Sequence, residues 1–306
     1  MPLNARLYTA LATPFTKEGA LDKAAVERLA HYVVEQGSDG LVLMGSTGEN
    51  PTLTNAEKRE VVSVVKAALA GKAVELVVGC STNNTAETIE LVGQTAALGI
   101  DGVLVVCPYY NKPSQAGLFA HFDAIAASTD VPIMMYNVPS RTVVAASPET
   151  VARLAEKHHH IVGLKQSVPD MDACSHIRRL TPDTFKIWSG DDSLTLPMMA
   201  LGAYGCVSVA GHLLGAPIKA MIDAAAADDF QTARQRHLAC VDLFGELFFL
   251  PNPTVLKAVL GQLGVIGPTL RLPLVEPAAE DMGRIKALTK RVQALQAEHQ
   301  PTTLAS

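Results

Sequence analysis

No C-x-x-C pair occurs among the five cysteines of this 306-residue chain, Cys80, Cys107, Cys174, Cys206 and Cys240. Their odd number and wide spacing exclude a disulfide framework or a zinc site, so reduced core thiols are expected. No uninterrupted apolar run approaches membrane-spanning length, and residues 1–20 hold no basic region followed by an apolar stretch. A cytoplasmic protein with no membrane partner is therefore expected. Basic clusters are also missing: 25 Lys and Arg stand against 30 Asp and Glu, a net charge of −5, which argues against nucleic acid as a partner. Nor does a glycine-rich dinucleotide fingerprint follow the first apolar run.

What the chain does have is apolar material, 48% of it, in short runs that alternate with longer amphipathic stretches. The runs Tyr8–Ala12, Gly40–Met44, Glu75–Gly79, Gly102–Val106, Val131–Tyr136, Ile161–Lys165, Phe185–Ser189 and Gly205–Val209 read as strands. Lys23–Glu35, Asn55–Leu69, Thr85–Leu98, Ser147–Lys157 and Asp191–Leu201 read as helices between them. Eight strands with crossover helices predict an α/β fold, a closed (β/α)8 TIM barrel, and the chain is long enough to be one. After about residue 226 the strand signal stops, and Phe230–Leu250, Asn252–Leu263 and Glu276–Gln296 read as helices. The expected division is a catalytic barrel over 1–226 and a C-terminal helical extension over 227–306, with Pro301–Ser306 a frayed tail.

Polar residues gather at the carboxyl ends of the strand runs, the face that carries the active site of a barrel. Lys165 closes Ile161-Val162-Gly163-Leu164, a run that reads as buried on both faces. A lysine held out of water loses proton affinity, and a neutral amine is the nucleophile that forms Schiff bases with carbonyl substrates. The bland alternative is a lysine that snorkels from a strand end to solvent. Its company argues otherwise. Gly45-Ser46-Thr47-Gly48-Glu49 follows the second run, where glycines expose backbone N–H groups to an anion and hydroxyls add donors. Pro108-Tyr109-Tyr110-Asn111 follows the fourth run, and Tyr136 with Asn137-Val138-Pro139-Ser140-Arg141-Thr142 closes the fifth. Ser189-Gly190-Asp191-Asp192 follows the seventh and reads most simply as a turn and helix N-cap. Each has an ordinary reading alone; together, at equivalent strand ends, they point to one site.

On GSTGENPTL from Gly45, PYYNKPSQ from Pro108, YNVPSRT from Tyr136, GLKQS from Gly163, SGDD from Ser189 and NPTVLK from Asn252, the chain resembles a known family. It is the pyruvate-dependent class I aldolase and lyase family that includes dihydrodipicolinate synthase and N-acetylneuraminate lyase. The motifs stand in order over nearly the whole chain. The resemblance implies a barrel with a C-terminal helical domain, assembled as a homotetramer of two tight dimers, with no metal and no organic cofactor. It implies that Lys165 condenses with the ketone of pyruvate while Tyr136 relays protons and positions the enamine. Ser46 and Tyr110 complete that relay, Tyr110 reaching into the neighbouring subunit's site. Ser46 and Thr47 are expected to hold the pyruvate carboxylate, with Val207 as a further substrate contact.

Family members diverge over the second substrate. Arg141 matches the arginine that in the synthases binds the carboxylate of L-aspartate 4-semialdehyde, and a guanidinium fork suits a carboxylate where a sugar polyol needs no fixed charge. The expected activity is therefore the synthase reaction of lysine and diaminopimelate biosynthesis. The alternatives are an aldolase, lyase or dehydratase acting on a 2-keto-3-deoxy sugar acid or N-acetylneuraminate, and more remotely a non-catalytic metabolite-binding barrel. Against the family pattern stand Ser46 in place of threonine, Val143 where glycine commonly follows PSRT, and Gln166-Ser167 where many relatives carry Glu-Ala or Glu-Ser. The lysine-inhibited relatives imply a regulatory cavity at the tight dimer interface, with Asn83, Glu87 and Tyr109 as its ligands here. Asn55 and Lys58 stand where strongly inhibited bacterial relatives often carry histidines or other side chains that accommodate lysine. A lysine facing the cavity would repel a cationic ligand, although solvent is the ordinary fate of a helix-surface lysine. Weak or absent feedback inhibition by L-lysine is expected.

Overall fold

The structure, a computed structural model, describes residues 3–299; the expected tail Pro301–Ser306 lies outside them. Eight strands are all parallel: β1 (Leu7–Ala10), β2 (Gly40–Leu43), β3 (Glu75–Gly79), β4 (Gly102–Val106), β5 (Ile133–Asn137), β6 (Ile161–Gln166), β7 (Lys186–Ser189) and β8 (Gly205–Ser208). They close in sequence order, because β1 pairs with β8 through Tyr8 and Val207 as well as with β2. Crossover helices α1 (Lys23–Glu35), α2 (Asn55–Ala68), α3 (Thr85–Ala96), α4 (Gln115–Ala126), α5 (Pro139–Thr142), α6 (Pro148–Lys157), α7 (Met171–Leu180), α8 (Thr195–Ala200) and α9 (Gly211–Ala226) connect or follow them. Three helices extend the chain: α10 (Phe230–Glu246), α11 (Thr254–Gln262) and α12 (Met282–His299).

The strands are near-continuous apolar runs because both of their faces are covered. Alternate residues, such as Val103, Val105, Ile133 and Met135, pack outward against the helices. Tyr8, Val42, Val77, Leu104, Met134, Tyr136, Trp188 and Val207 fill the barrel interior. Register then decides what meets at the mouth, since Tyr136 pairs with Lys165 and Lys165 with Trp188 across three neighbouring strands. Gly163 makes room for this column: a Cβ there would lie 2.2 Å from the Lys186 carbonyl oxygen and 2.6 Å from the Trp188 ring.

The expected barrel is the observed one, with corrections at several ends. Ser147 is the N-cap of α6 and not its first residue, its hydroxyl accepting from the Thr150 N–H. Asp191–Leu201 is not one helix. The buried Asp192 carboxylate accepts from the Ser208 hydroxyl and from the N–H groups of Val209 and Ala210, and this pull leaves a 3-10 turn, Asp192–Leu194, before α8. In the extension, α11 begins at Thr254 because Asn252 is drawn to another loop, and α12 begins only at Met282, beyond Pro277. Helices α9, α10 and α12 pack on one another, and their apolar residues belong to the same continuous core as the barrel helices. All five cysteines are free and buried, and burial pushes the Cys80, Cys107 and Cys240 thiols up to about 12. Among the described residues no helix is long and apolar enough to cross a membrane.

Candidate active site

Lys165 projects from the end of β6 into the barrel mouth and is only 5% exposed. Among the described residues its amine has no hydrogen-bond or ion-pair partner; it lies 4.3 Å from the centroid of the Tyr136 ring. Its methylenes run over Gly190, where a Cβ would stand 3.0 Å from Lys165 Cε and 1.9 Å from Ser167 Oγ. An unpaired, buried amine in a cleft is costly as structure and useful as chemistry.

A cavity of about 210 Å³ opens on Lys165 and is walled by Tyr136, Ser46, Thr47 and Arg141, all expected site residues. Ser167, Gly190 and Asp191 line it from the barrel, and Phe248 and Asn252 from the C-terminal extension. An adjoining space of about 250 Å³ shares Ser46, Tyr136 and Arg141 and reaches Tyr109 and Ser81. Two expected residues stand apart. Val207 is fully buried in the barrel column and does not line these cavities; Val209, two residues on and past the strand end, lines the first. Tyr110 is 86% exposed, has a left-handed φ of 72° and lines neither cavity.

Arg141 sits in α5, a single helical turn too short to show a period in sequence, and its neighbourhood is pinned from beneath. Asn137 accepts from the Ala146 N–H at 3.0 Å and donates to the Ala146 carbonyl at 3.0 Å and to Gln166 Oε1 at 3.2 Å. Gln166 is thus a buried brace outside the cavity wall. Val143 ends this turn with φ 68°, a left-handed conformation that a β-branched residue strongly resists, which explains why glycine suits the position.

The loop after β2 is held from the far end of the sequence. Asn252 Nδ2 donates to Thr47 Oγ1 at 2.9 Å, and Thr13 Oγ1 donates to the Gly48 carbonyl at 2.7 Å. Glu49, itself left-handed at φ 52°, forms a wholly buried ion pair with Lys257 of α11 at 2.6 Å and accepts from the Arg271 N–H at 3.0 Å. Lys257 also donates to the Thr269 carbonyl at 2.8 Å and stands 4.3 Å from the Phe15 ring centroid. Burial lowers its pKa more than Glu49 raises it. No motif assigns these residues a role; the one signal in sequence is a lysine inside the apolar stretch Thr254-Val255-Leu256-Lys257-Ala258-Val259-Leu260.

A third cavity, about 280 Å³, lies beside the barrel between α2 and α3. Tyr109, Asn55 and Lys58 line it, while Asn83 and Glu87 do not. Glu87 accepts from Thr82 Oγ1 at 3.0 Å, and the Asn83 carbonyl accepts from Asn111 Nδ2 at 3.0 Å. Lys58 is half-buried in the cavity wall and not turned to solvent; burial lowers its pKa and the Glu87 charge only partly offsets this.

Residues 3–292 match the model of the dihydrodipicolinate synthetase family. The 4-hydroxy-tetrahydrodipicolinate synthase of Moorella thermoacetica is 46% identical over 290 residues, 95% of this chain and 99% of that protein. The crystal structure of dihydrodipicolinate synthase from Cyanidioschyzon merolae with lysine bound is similar at a TM-score of 0.92 and 42% identity, over 95% of this chain and 99% of the other. The chloride-inhibited enzyme from Acinetobacter baumannii complexed with pyruvate gives a TM-score of 0.91 at 33% identity, over 95% and 99% of the two chains.

Proposed function

The chain belongs to the dihydrodipicolinate synthetase family, and from that membership we propose that the cavity over Lys165 is where pyruvate condenses with L-aspartate 4-semialdehyde to give 4-hydroxy-tetrahydrodipicolinate. The reaction is a Schiff-base lyase step of lysine and diaminopimelate biosynthesis. The observation that supports the reading is the buried Lys165 amine, without a partner among the described residues, opening on a cavity that Ser46, Thr47 and Arg141 also line.

The chemistry follows from that arrangement. The amine adds to the pyruvate ketone and water leaves, giving an imine at Lys165. Ser46 and Thr47, with the backbone N–H groups of their loop, hold the carboxylate and so aim the carbonyl at the amine. Loss of a methyl proton through the Tyr136 hydroxyl makes the enamine, whose terminal carbon attacks the aldehyde of the second substrate. Arg141 anchors that substrate's carboxylate, and attack of its amine on the imine carbon closes the ring and frees Lys165. Tyr110, 86% exposed on a single chain, serves the site of an adjacent subunit in a tetramer of tight dimers. The residues that carry the chemistry stand within 1–226, the helical extension starting at 227, and the free thiols suit the cytoplasm.

Feedback inhibition by L-lysine is weak, because, of the expected ligands, only Tyr109 lines the side cavity, and Lys58 beside it opposes a cation there. Half-inhibition at sub-millimolar L-lysine would contradict this. The substrate reading is tested by pairing pyruvate in turn with L-aspartate 4-semialdehyde and with sugar-derived aldehydes: turnover is expected with the first, and a preference for the sugars would overturn it.

A further inference from the structure

The segment that opens NPTVLK takes no part in the chemistry above, yet it reaches the site from the C-terminal extension. We infer that Asn252 is a positioning residue for the substrate carboxylate: its side-chain amide occupies an acceptor lone pair of the Thr47 hydroxyl and thereby directs the proton of that hydroxyl at the carboxylate. The inference rests on the reading that Thr47 holds the carboxylate of pyruvate.

Both residues are buried, Asn252 at 7% and Thr47 at 2% exposure, and Asn252 Nδ2 lies 2.9 Å from Thr47 Oγ1. A hydroxyl has one proton and two lone pairs. Since Thr47 Oγ1 accepts from Asn252, its proton is free, and among the described residues no protein group accepts it. The acceptor must then come from the cavity that both residues line. A carboxylate there receives a charge-assisted hydrogen bond. With the opposite polarity, Thr47 donating to residue 252, the hydroxyl would turn lone pairs toward the carboxylate and repel it.

Asn252 itself is an odd structural choice, because its Oδ1 is buried without a partner. An amide retained only to pack the extension would have both ends satisfied. Here one end is spent on Thr47. The same segment clamps the loop a second time, five residues later, through the Lys257 ion pair to the left-handed Glu49. Two ties from α11 and its lead-in thus set the loop, and only the first touches a group that faces substrate.

The test is a set of variants of the full-length protein, Asn252→Ala, Asn252→Asp, Thr47→Val and the double variant Thr47→Val/Asn252→Ala. Each is assayed for the KM of both substrates, for the pyruvate concentration that half-saturates borohydride trapping, and for melting temperature. Asn252→Ala is expected to raise the pyruvate KM and the trapping midpoint about tenfold, the worth of one hydrogen bond, with the semialdehyde KM within about twofold. Asn252→Asp keeps the shape but reverses the hydrogen bond and adds charge, so it is expected to be worse than alanine for pyruvate, and it stands in should the alanine variant fail to fold. The double variant is expected to be no worse than Thr47→Val, since Asn252 acts through Thr47. Equal rises in both KM values, an aspartate variant as good as wild type, or additive effects in the double variant would overturn the inference. If wild-type protein traps no pyruvate, the carboxylate reading fails with it; if wild type traps and the variants match it, the positioning role alone fails.

Discussion

Among the described residues two lysines are buried, and the regions that hold them differ in kind. Lys257, where the C-terminal extension meets the loop after β2, has Glu49 at 2.6 Å, the Thr269 carbonyl at 2.8 Å and the Phe15 ring beside it. Lys165, at the barrel mouth, has the face of Tyr136 and otherwise open cavity. A cation sealed off with a full set of partners braces structure, because breaking the set strands the opposite charge. A lysine nitrogen denied partners is left open to a carbonyl carbon. The mouth carries other unspent groups, the orphaned Ser167 hydroxyl and Asn252 carbonyl and the strained Val143, whereas around Lys257 and Glu49 the charges are matched.

Alanine at each lysine separates the two regions most widely. Lys165→Ala should cut turnover on the order of a thousandfold or more, since the covalent route itself is lost, with unfolding by denaturant unchanged. Lys257→Ala should lower stability by about 3–5 kcal/mol, because Glu49 is left buried and uncompensated. Should both variants unfold alike, the difference in pairing would have no energetic meaning.

Within the mouth the two substrates can be told apart next. Arg141→Ala should reduce kcat/KM for L-aspartate 4-semialdehyde by about 10- to 150-fold, the loss of a charge-assisted hydrogen bond worth roughly 1.5–3 kcal/mol, while borohydride trapping of pyruvate is spared. Loss of pyruvate trapping instead would move Arg141 to the first substrate.

The barrel was legible because its signals are local. Glu75–Gly79 and Gly102–Val106 are apolar runs bounded by turns, and Lys23–Glu35 carries a helical period, so these elements agree residue for residue with β3, β4 and α1. The cluster of Lys165, Tyr136, Ser46, Thr47 and Arg141 was legible through motifs at strand ends. What the sequence could not show is decided by partners far along the chain. Glu49 and Lys257 are 208 residues apart, and nothing near either names the other. Asp192 breaks its helix because Ser208 and two backbone N–H groups take its carboxylate, and Lys58 faces inward because a cavity lies under α2.

The smallest expected effect probes strain at the mouth. Val143→Gly should raise stability by about 0.5–1 kcal/mol, because relief of a left-handed β-branched residue, roughly 1–2 kcal/mol, exceeds the added chain entropy of glycine, roughly 0.5–1 kcal/mol. A lower unfolding midpoint would show that the loop gains more from the valine side chain than it loses in the backbone.

Reduction with borohydride in the presence of pyruvate, followed by mass mapping of every lysine, tests the contrast between the two buried lysines most directly. A reduced three-carbon adduct is expected at Lys165 and none at Lys257, because only an amine with access to the ketone forms the imine that borohydride traps. An adduct at another lysine with Lys165 unmodified, or no adduct at all, would contradict the assignment of Lys165 as the Schiff-base residue.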